Sequence, residues 1–323
     1  MKLGIVGSGM IVPEFLKACE AVGGITFQGI SSTKRSAEKR KQLQAAFGIV
    51  NVHDDYASLL KDDVDAIYVA APNHLHYELA KQALLQGHHV ILEKPFTSTL
   101  QQAKELVDLA REKEVIIFEA ISNQHFPNYH KIQALLPQLG DVKIVQLNYS
   151  QYSRRYDAFK AGTILPVFDQ NKSGGALMDL NVYNIHFIVG LFGAPQAIHY
   201  AANVEKGVDT SGVLTLEYPT LKCVAVGAKD CASPVSISIQ GDKGYIYSPQ
   251  SASSFDRFTF GTNDGHSETF ELHSNQHRLF HEVQHFVRLF EANDLAAAQK
   301  LNAHSLSVME ILTEARQQVG VSL

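Results

Sequence analysis

The feature that most constrains this fold is a glycine turn near the start of the chain. The apolar run Leu3–Val6 leads directly into Gly7-Ser8-Gly9, and an amphipathic segment of helical length follows from Met10. A strand, a glycine-rich turn and a helix in this order open a βαβ unit in which the helix N-terminus binds a dinucleotide pyrophosphate. Val12 replaces the third glycine of the full fingerprint, so the motif alone also fits a plain strand–turn–helix.

The pattern over residues 2–120 predicts an α/β fold with a doubly wound parallel sheet, because short apolar runs alternate with helical segments. The expected strands are Lys2–Val6, Ile25–Ile30, Val50–Val52, Ala66–Ala71, His89–Leu92 and Val115–Ala120. The expected helices are Met10–Val22, Lys34–Phe47, His74–Gln86 and Thr99–Lys113. We therefore expect a Rossmann domain that binds NAD(P) over residues 1–122.

The second part of the chain follows a different rhythm. A helix at Asn128–Leu139, a strand at Val142–Gln151, a polar loop to Ser173 and a helix at Gly174–Phe192 precede a series of strands. These strands are Gln196–Glu205, Gly212–Glu217, Lys222–Ala228, Val235–Gln240, Gly244–Tyr247 and Arg257–Phe260, and helices at Gln276–Glu291 and Leu295–Val319 follow. Residues 123–323 are thus expected to form an α+β substrate and oligomerisation domain with a large, mostly antiparallel, open sheet.

Composition and charge favour a globular protein with small-molecule partners. Hydrophobic residues make up 45% of the chain and charged residues 19%, which suits packed cores. The net charge is -5 without a long basic run, so the chain lacks the field that nucleic-acid binding needs. Three cysteines without disulfide or zinc spacing, no apolar stretch of about 18 residues and no signal peptide predict a cytoplasmic protein without a metal or a membrane span.

The end of the second expected strand bears on the choice between two nicotinamide cofactors. An acidic residue at this place would bind the ribose hydroxyls of NAD. The chain instead carries hydroxyls and cations in Ser31-Ser32-Thr33-Lys34-Arg35, and these groups suit a 2′-phosphate. NADP is therefore favoured over NAD. The alternative is that Lys34 and Arg35 are only the solvated first turn of a helix.

Two further patterns carry groups suited to proton transfer. Glu93-Lys94-Pro95 follows the fifth expected strand, at the edge where open α/β sheets bind ligands. In the helix expected at Gly174–Phe192, Asp179 and Tyr183 share one face and His186 lies further along it. A lysine can polarise a hydroxyl or carbonyl, and the other three groups can orient or carry a proton. Each pattern alone also fits a surface loop or an amphipathic core helix.

In combination, these motifs resemble the glucose–fructose oxidoreductase and inositol dehydrogenase family (Gfo/Idh/MocA). The resemblance rests on the glycine turn, on Ala70-Ala71-Pro72-Asn73-His74-Leu75-His76, on Glu93-Lys94-Pro95 and on the Gly174-Gly175-Ala176 helix that leads through Asp179 to Tyr183. It covers essentially the whole chain. Tyr183 stands where some branches have histidine, and this is similar to the tyrosine-type branch of the dimeric dihydrodiol dehydrogenases.

The resemblance implies an NAD(P)-dependent dehydrogenase or reductase that moves a hydride between nicotinamide C4 and a hydroxyl or carbonyl carbon of a sugar, polyol or related small molecule. It implies Lys94 and Tyr183 as catalytic residues, with Asp179 as an orienting carboxylate. The Lys94–Pro95 bond is often cis in such proteins. The motifs and the resemblance together give the cofactor-binding set Gly7, Gly9, Met10, Ile11, Ser32, Thr33, Arg35, Ala71, Pro72, Asn73, His76, Glu93 and Lys94.

The substrate side departs from the family pattern. Gln124 and His125 stand where many members have an arginine and an aromatic residue before the proline, so the identity of the substrate does not carry over. Loops carry specificity. The candidate substrate contacts are Gln124, Arg155, Phe168, Asp179 and Tyr183.

An alternative to the enzyme is a non-catalytic dinucleotide sensor, because a fold does not fix a function. The presence of both Lys94 and Tyr183 favours the enzyme, since a sensor needs no proton donor beside a nicotinamide. An exposed antiparallel sheet is an aggregation risk that relatives avoid by dimerising, so we expect a homodimer or homotetramer through the C-terminal sheet.

Overall fold

The computed structural model describes residues 1–272 and 275–321. The chain divides into two compact units. The first contains Met1–Ala120 and His277–Leu306, and the second contains Ile121–Gln276 and Ser307–Leu323.

The first unit is built on a parallel sheet. Within the described residues its strands are β1 (Lys2–Val6), β2 (Thr26–Ser31), β3 (Asn51–His53), β4 (Ala66–Val69), β5 (His89–Glu93) and β6 (Ile117–Ala120). They lie in the order β3-β2-β1-β4-β5-β6, and every pair is parallel. This is the doubly wound order of dinucleotide-binding folds, so the predicted Rossmann sheet is confirmed.

Helices accompany this sheet, and each buries apolar side chains. They are α1 (Ile11–Val22), α2 (Ala37–Phe47), α3 (Tyr56–Leu59), α4 (His76–Leu85) and α5 (Leu100–Glu112). The ring of Phe15 in α1 stacks on that of Tyr68 in β4 with 3.8 Å between centroids. Short 3-10 turns at Lys34–Ser36 and Asn73–Leu75 precede α2 and α4, where the sequence predicted the α-helices themselves to begin.

The second unit is built on a larger sheet. Its described strands are β7 (Val142–Ser150), β8 (Ala197–Glu205), β9 (Val208–Glu217), β10 (Lys222–Ala228), β11 (Ser236–Gly241), β12 (Gly244–Ser248), β13 (Phe258–Thr262) and β14 (Ser267–Phe270). They lie in the order β14-β13-β12-β11-β7-β10-β9-β8. The pair β7–β10 is parallel, and the other described pairs are antiparallel. The expected open, mostly antiparallel sheet is confirmed. The pattern of the sequence did not predict strand β14.

The helices of the second unit include one inside the expected polar loop. They are α6 (Pro127–Leu135), α7 (Arg154–Lys160) and α8 (Val182–Phe192). Helix α7 forms because Ser153 caps it, accepting a hydrogen bond from the N–H of Arg155, and because Phe159 is fully buried. A single buried aromatic in seven residues gives too weak a periodic signal to predict a helix.

The helix expected from Gly174 to Phe192 is not uniform. Leu177–Asn181 forms a π-helix, and α8 continues from it. The side-chain amides of Asn181 and Asn184 donate to the carbonyl oxygens of Ala225 and Val226 in β10, each at 3.1 Å. These bonds tie the wide turn to the sheet, which a hydrophobic period of 3.6 residues does not reveal. Single π turns often lie at functional sites.

The segment His277–Leu306 belongs to the first unit, although the sequence boundary after residue 122 assigned it to the other domain. It contains α9 (Phe280–Ala292) and the first half of α10 (Leu295–Gln318). The ring of Phe286 stacks on that of Phe118 in β6 at 3.9 Å, within the same core as Phe15. An amphipathic pattern shows that a helix has an apolar face, but not which sheet that face meets.

One helical stretch among the described residues, Gln170–Phe192, is long and apolar enough for a membrane span by length and composition, with a mean hydropathy of 1.2. Of that window, 67% is buried inside the protein. A core helix passes the same test, so the stretch is weak evidence for a span.

Candidate active site

The carboxyl ends of four parallel strands meet at one edge of the first unit's sheet. The register pairs Val6 of β1 with Ser31 of β2 and with Val69 of β4, and Val69 in turn with Leu92 of β5. The segments that follow these strands hold the predicted cofactor-binding residues. The structure therefore brings this predicted set to a single edge of one sheet.

The two glycines of the turn after β1 have different surroundings. Gly7 has a φ of +116°, and a Cβ there would lie 2.1 Å from the carbonyl oxygen of Ala70, so the fold itself requires glycine. A Cβ at Gly9 would meet nothing within 4 Å, which leaves the backbone open to a ligand. Helix α1 then begins without a capping side chain among the described residues, so its first N–H groups suit a pyrophosphate.

The end of β2 carries buried polar atoms that lack partners. The hydroxyls of Ser31 and Ser32 and the Nε of Arg40 are buried and find no hydrogen-bond partner among the described residues. The Arg40 guanidinium donates to the carbonyl oxygen of Ser32 at 2.8 Å and to a carboxylate oxygen of Asp54 at 3.0 Å. Guanidinium and hydroxyl donors suit a phosphate. The residues present therefore fit a dinucleotide with a 2′-phosphate.

The residues that follow Ser32 are exposed to solvent. Thr33, Lys34 and Arg35 are exposed, so the structure leaves both interpretations of Lys34 and Arg35 open. The sequence did not predict Arg40 as a site residue. It lies inside α2, where an arginine ordinarily belongs to the solvated face. The signal that reveals it is its burial, with 3% of the residue exposed.

His76 connects the segments that follow β4 and β5. Its two ring nitrogens lie 2.9 Å from the carbonyl oxygens of Ala71 and Pro95, and the residue is fully buried. Burial lowers the pKa of the imidazole. The Lys94–Pro95 bond is cis, as the resemblance implies. His76 thus positions the backbone around Lys94, and its predicted contact with the cofactor stays a prediction.

Glu93 and Lys94 differ in their surroundings. The Tyr68 hydroxyl donates to Glu93 at 2.6 Å, and burial raises the pKa of the Glu93 carboxyl. Glu282 of α9 is buried nearby, and burial raises the pKa of its carboxyl too. Lys94 is half-buried at the end of β5. The structure therefore places Lys94 at the carboxyl end of β5, while the Glu93 carboxylate is bound to Tyr68 of the neighbouring strand.

The second unit presents two of the predicted catalytic side chains together. From Ser173 to Val189 every residue is buried except Asp179 and Tyr183, which are half-buried. Asp179 accepts a hydrogen bond from Lys229 Nζ at 2.7 Å, and the carbonyl oxygen of Tyr183 accepts one from Asn123 at 2.8 Å. His186, the third group expected on this face, is fully buried and belongs to the core. The accessible face of this segment is thus a carboxylate and a phenol.

The start of this segment is held by a buried carboxyl. Asp209 accepts hydrogen bonds from the Leu177 N–H at 2.7 Å and the Tyr200 hydroxyl at 2.9 Å. Burial raises the pKa of Asp209 to about 6. Gly175 has a φ of +118°, and a Cβ there would lie 2.1 Å from an Asp209 oxygen, so the glycine is needed for this contact.

The remaining substrate candidates lie in different environments. The side-chain amide of Gln124 donates to the carbonyl oxygen of His186 at 2.9 Å and so supports α8. Arg155 is exposed in the first turn of α7. Phe168 is 1% exposed and packs with Phe159 and Val208. Their contacts with a substrate stay predictions.

Known proteins match this chain over 99% of its length. Residues 1–121 match the profile of the oxidoreductase family with an NAD-binding Rossmann fold, and residues 129–247 match the C-terminal domain of the same family. The scyllo-inositol 2-dehydrogenase (NADP(+)) IolU of Bacillus subtilis (strain 168) is 32% identical, covering 99% of this chain and 98% of its own. The chain belongs to the Gfo/Idh/MocA oxidoreductase family. The predicted family and the prediction of an enzyme that binds a nicotinamide dinucleotide are thereby confirmed.

Other members extend the comparison. A trans-1,2-dihydrobenzene-1,2-diol dehydrogenase from Xenopus tropicalis is 28% identical and covers 99% of this chain and 98% of its own. The crystal structure of KijD10, a 3-ketoreductase from Actinomadura kijaniata, in complex with NADP and TDP-benzene, matches with a TM-score of 0.87 at 22% identity. That match covers 98% of this chain and 97% of KijD10 and shows the shared fold.

The glycine turn of this Gfo/Idh/MocA protein gives a first prediction. Gly7→Ala is expected to lower the thermal unfolding midpoint by several degrees, because its Cβ would collide with the backbone of Ala70. Gly9→Ala is expected to keep the wild-type midpoint and to weaken NADPH binding, because only a bound ligand would meet the added methyl group. Thermal unfolding and fluorescence titration measure the two effects. A lowered midpoint in Gly9→Ala would show that Gly9 is also needed by the fold.

Proposed function

We propose that this protein is an NADP-dependent oxidoreductase that interconverts a hydroxyl and a carbonyl group on a sugar, polyol or related small molecule. The single observation that carries the proposal is the accessible pair Asp179 and Tyr183, the only half-buried residues between Ser173 and Val189 in the described chain. A bound nicotinamide would supply or accept the hydride at C4. The protein's own groups have to supply the proton transfer and the orientation of the substrate.

Tyr183 is the proposed acid–base group. A tyrosine phenol has an ordinary pKa near 10, so it exchanges a proton near neutral pH only with help from a cation. Lys94, half-buried after β5, is the cation that we assign to this role. Asp179 is proposed to accept a hydrogen bond from a substrate hydroxyl and so to fix which carbon reacts.

Support for the enzyme over a dinucleotide sensor comes from the relatives. The B. subtilis and X. tropicalis members are both dehydrogenases, and their alignments cover 99% of this chain. A sensor needs neither a lysine nor an accessible phenol beside its ligand. Both groups are present here.

Replacing the two proposed catalytic groups tests this mechanism. We expect Lys94→Ala and Tyr183→Phe each to lower kcat by about 10²–10⁴-fold while NADPH binding changes little, since each removes a proton-transfer group. Turnover is followed by nicotinamide absorbance with scyllo-inositol, D-xylose, other aldoses and polyols, and dicarbonyls. Matched controls are Lys81→Ala in α4, where the side chain is 41% exposed, and Tyr218→Phe, whose hydroxyl donates to the carbonyl oxygen of Gly193. Wild-type turnover in both catalytic variants would overturn the assigned roles.

The preference for NADP rests on the end of β2. Ser32 and Arg40 offer a buried hydroxyl and a buried guanidinium, and Arg35 adds an exposed cation. The B. subtilis relative is named as an NADP(+) enzyme. Phosphate recognition by such groups separates NADP from NAD through the 2′-phosphate alone.

The double variant Ser32→Ala, Arg35→Ala tests this preference. We expect its Kd for NADPH to rise by about tenfold and its Kd for NADH to change little, because hydrogen bonds to a charged phosphate are the ones removed. Lys39→Ala, on the exposed face of α2, is the control. Titration with both cofactors measures the ratio, and equal weakening of the two would remove the assignment.

We further propose that the protein is cytoplasmic and assembles as a homodimer or homotetramer through the outer face of the second sheet. Large apolar side chains are exposed there on strands β7, β9 and β12, namely Ile144 (41%), Val213 (41%), Tyr245 (43%) and Tyr247 (44%). Exposed apolar patches mark interaction surfaces, and most soluble oligomers are built from copies of one chain.

The assembly is tested by light scattering during gel filtration. We expect an oligomer for the wild type and a monomer for Val213→Lys, because a buried ammonium at the interface carries a desolvation cost. Leu85→Lys in α4 changes an equally apolar exposed residue outside the sheet and is expected to leave the oligomer intact. A monomeric wild type contradicts the proposal.

A further inference from the structure

Lys229 is a buried lysine that the sequence reading did not single out. It follows β10 directly, and 3% of its side chain is exposed. Its backbone N–H donates to the carbonyl oxygen of Thr210 at 2.8 Å, and its carbonyl oxygen accepts from Ser153 at 2.9 Å. The backbone of Lys229 is therefore held by hydrogen bonds at both its N–H and its carbonyl oxygen.

The ammonium group of Lys229 contacts a carboxylate, a carbonyl oxygen and an aromatic ring. Nζ donates to Asp179 Oδ2 at 2.7 Å and to the carbonyl oxygen of Val167 at 3.2 Å. It also lies 4.9 Å from the centroid of the Phe168 ring. One cation thus contacts a proposed catalytic residue and the turn Pro166–Phe168, which holds a candidate substrate contact.

A buried ammonium is costly unless a carboxylate and further acceptors compensate for its lost hydration. Here the compensating carboxylate belongs to Asp179, whose side chain remains 32% exposed. The pair is therefore asymmetric, with the cation inside the protein and the carboxylate at its surface. A cation in this place favours the ionised carboxylate and restricts its rotation.

The turn Pro166–Phe168 is packed against the segment that carries Asp179. The carbonyl oxygen of Val167 accepts from the Gly175 N–H at 3.0 Å as well as from Lys229. A Cβ at Gly174 would lie 2.7 Å from the carbonyl oxygen of Pro166. The turn, the glycine pair and the ammonium of Lys229 thus form one packed group around Asp179.

We infer that Lys229 is a positioning residue for the proposed reaction. Its ammonium group holds the Asp179 carboxylate ionised and in one orientation and joins it to the turn Pro166–Phe168. This inference rests on the proposed function. An ionised carboxylate accepts hydrogen bonds and donates none. Lys229 therefore makes Asp179 an acceptor for a substrate hydroxyl and excludes it as the proton donor, which leaves that role to Tyr183.

A double-mutant cycle tests whether Lys229 acts through Asp179. The variants are Lys229→Met, Asp179→Asn and both together, assayed in the full chain with NADP and the best substrate of the panel above. We expect each single change to lower kcat/KM by about tenfold to a hundredfold, and the double variant to be no worse than the poorer single one, because the two groups act as a pair. Additive losses would overturn the inference.

The pH profile gives a readout that a purely structural role would not move. In Lys229→Met the acidic limb of kcat/KM is expected to move to higher pH, because removal of a neighbouring cation raises the pKa of a carboxylate. Lys229→Arg keeps the charge and is expected to keep the limb in place. An unmoved limb in Lys229→Met contradicts the inference.

Lys206→Met is the matched control. Lys206 also donates from Nζ to a carbonyl oxygen, that of Phe159, and lies 4.7 Å from the centroid of the Phe159 ring. It is exposed, and its described contacts lack the link to Asp179. We expect wild-type kcat/KM and an unchanged pH profile for this variant, and a loss equal to that of Lys229→Met would refute a specific role for Lys229.

Failure of this inference and failure of the proposed function give different experimental results. If Lys229→Met alone does not fold, the comparison of the double variant with Asp179→Asn still decides, because the buried ammonium and its partner carboxylate are then removed together. Wild-type turnover in Lys94→Ala and Tyr183→Phe is a failure of the proposed function. Loss of turnover in those two variants, with independent effects of Lys229 and Asp179, is a failure of this inference alone.

Discussion

Buried backbone carbonyl oxygens outside helices and strands have to accept a hydrogen bond from another group. This constraint shapes the candidate site residues in both units. An unsatisfied buried carbonyl costs about as much as a lost hydrogen bond. In the first unit the Arg40 guanidinium donates to the carbonyl oxygen of Ser32, and the two ring nitrogens of His76 lie 2.9 Å from the carbonyl oxygens of Ala71 and Pro95. In the second unit Lys229 donates to the carbonyl oxygen of Val167, and Asn181 and Asn184 donate to those of Ala225 and Val226 within β10.

The consequence is that the residues proposed to react are held by residues that do not react. Lys94 stands next to a proline whose carbonyl oxygen is fixed by a buried histidine. Asp179 and Tyr183 project from a segment whose other side chains are buried between Ser173 and Val189. Asp209 secures the beginning of that segment, and Gln124 secures the carbonyl of His186 further along. Groups held in this way lose little freedom when a substrate binds.

Family membership and local structure answer different questions about this protein. The matches over residues 1–121 and 129–247 establish an oxidoreductase with an NAD-binding Rossmann fold. The phosphate-compatible end of β2, the accessible carboxylate–phenol pair and the Lys229–Asp179 contact are properties of this chain's own side chains. On these side chains we base the proposal that the cofactor is NADP and that the substrate carries a hydroxyl group.

The sequence by itself determined the two folds, the parallel and antiparallel character of the sheets, the glycine turn and the motif residues around Lys94 and Tyr183. Those features are local, since periodicity, turn residues and short motifs encode them over a few neighbours. Tertiary structure alone decided that α9 packs with β6, that Leu177–Asn181 is a π-helix, that His186 is buried, and that Arg40 and Lys229 turn inward. Each of these features depends on contacts with residues distant in the chain, and local sequence patterns do not specify those contacts.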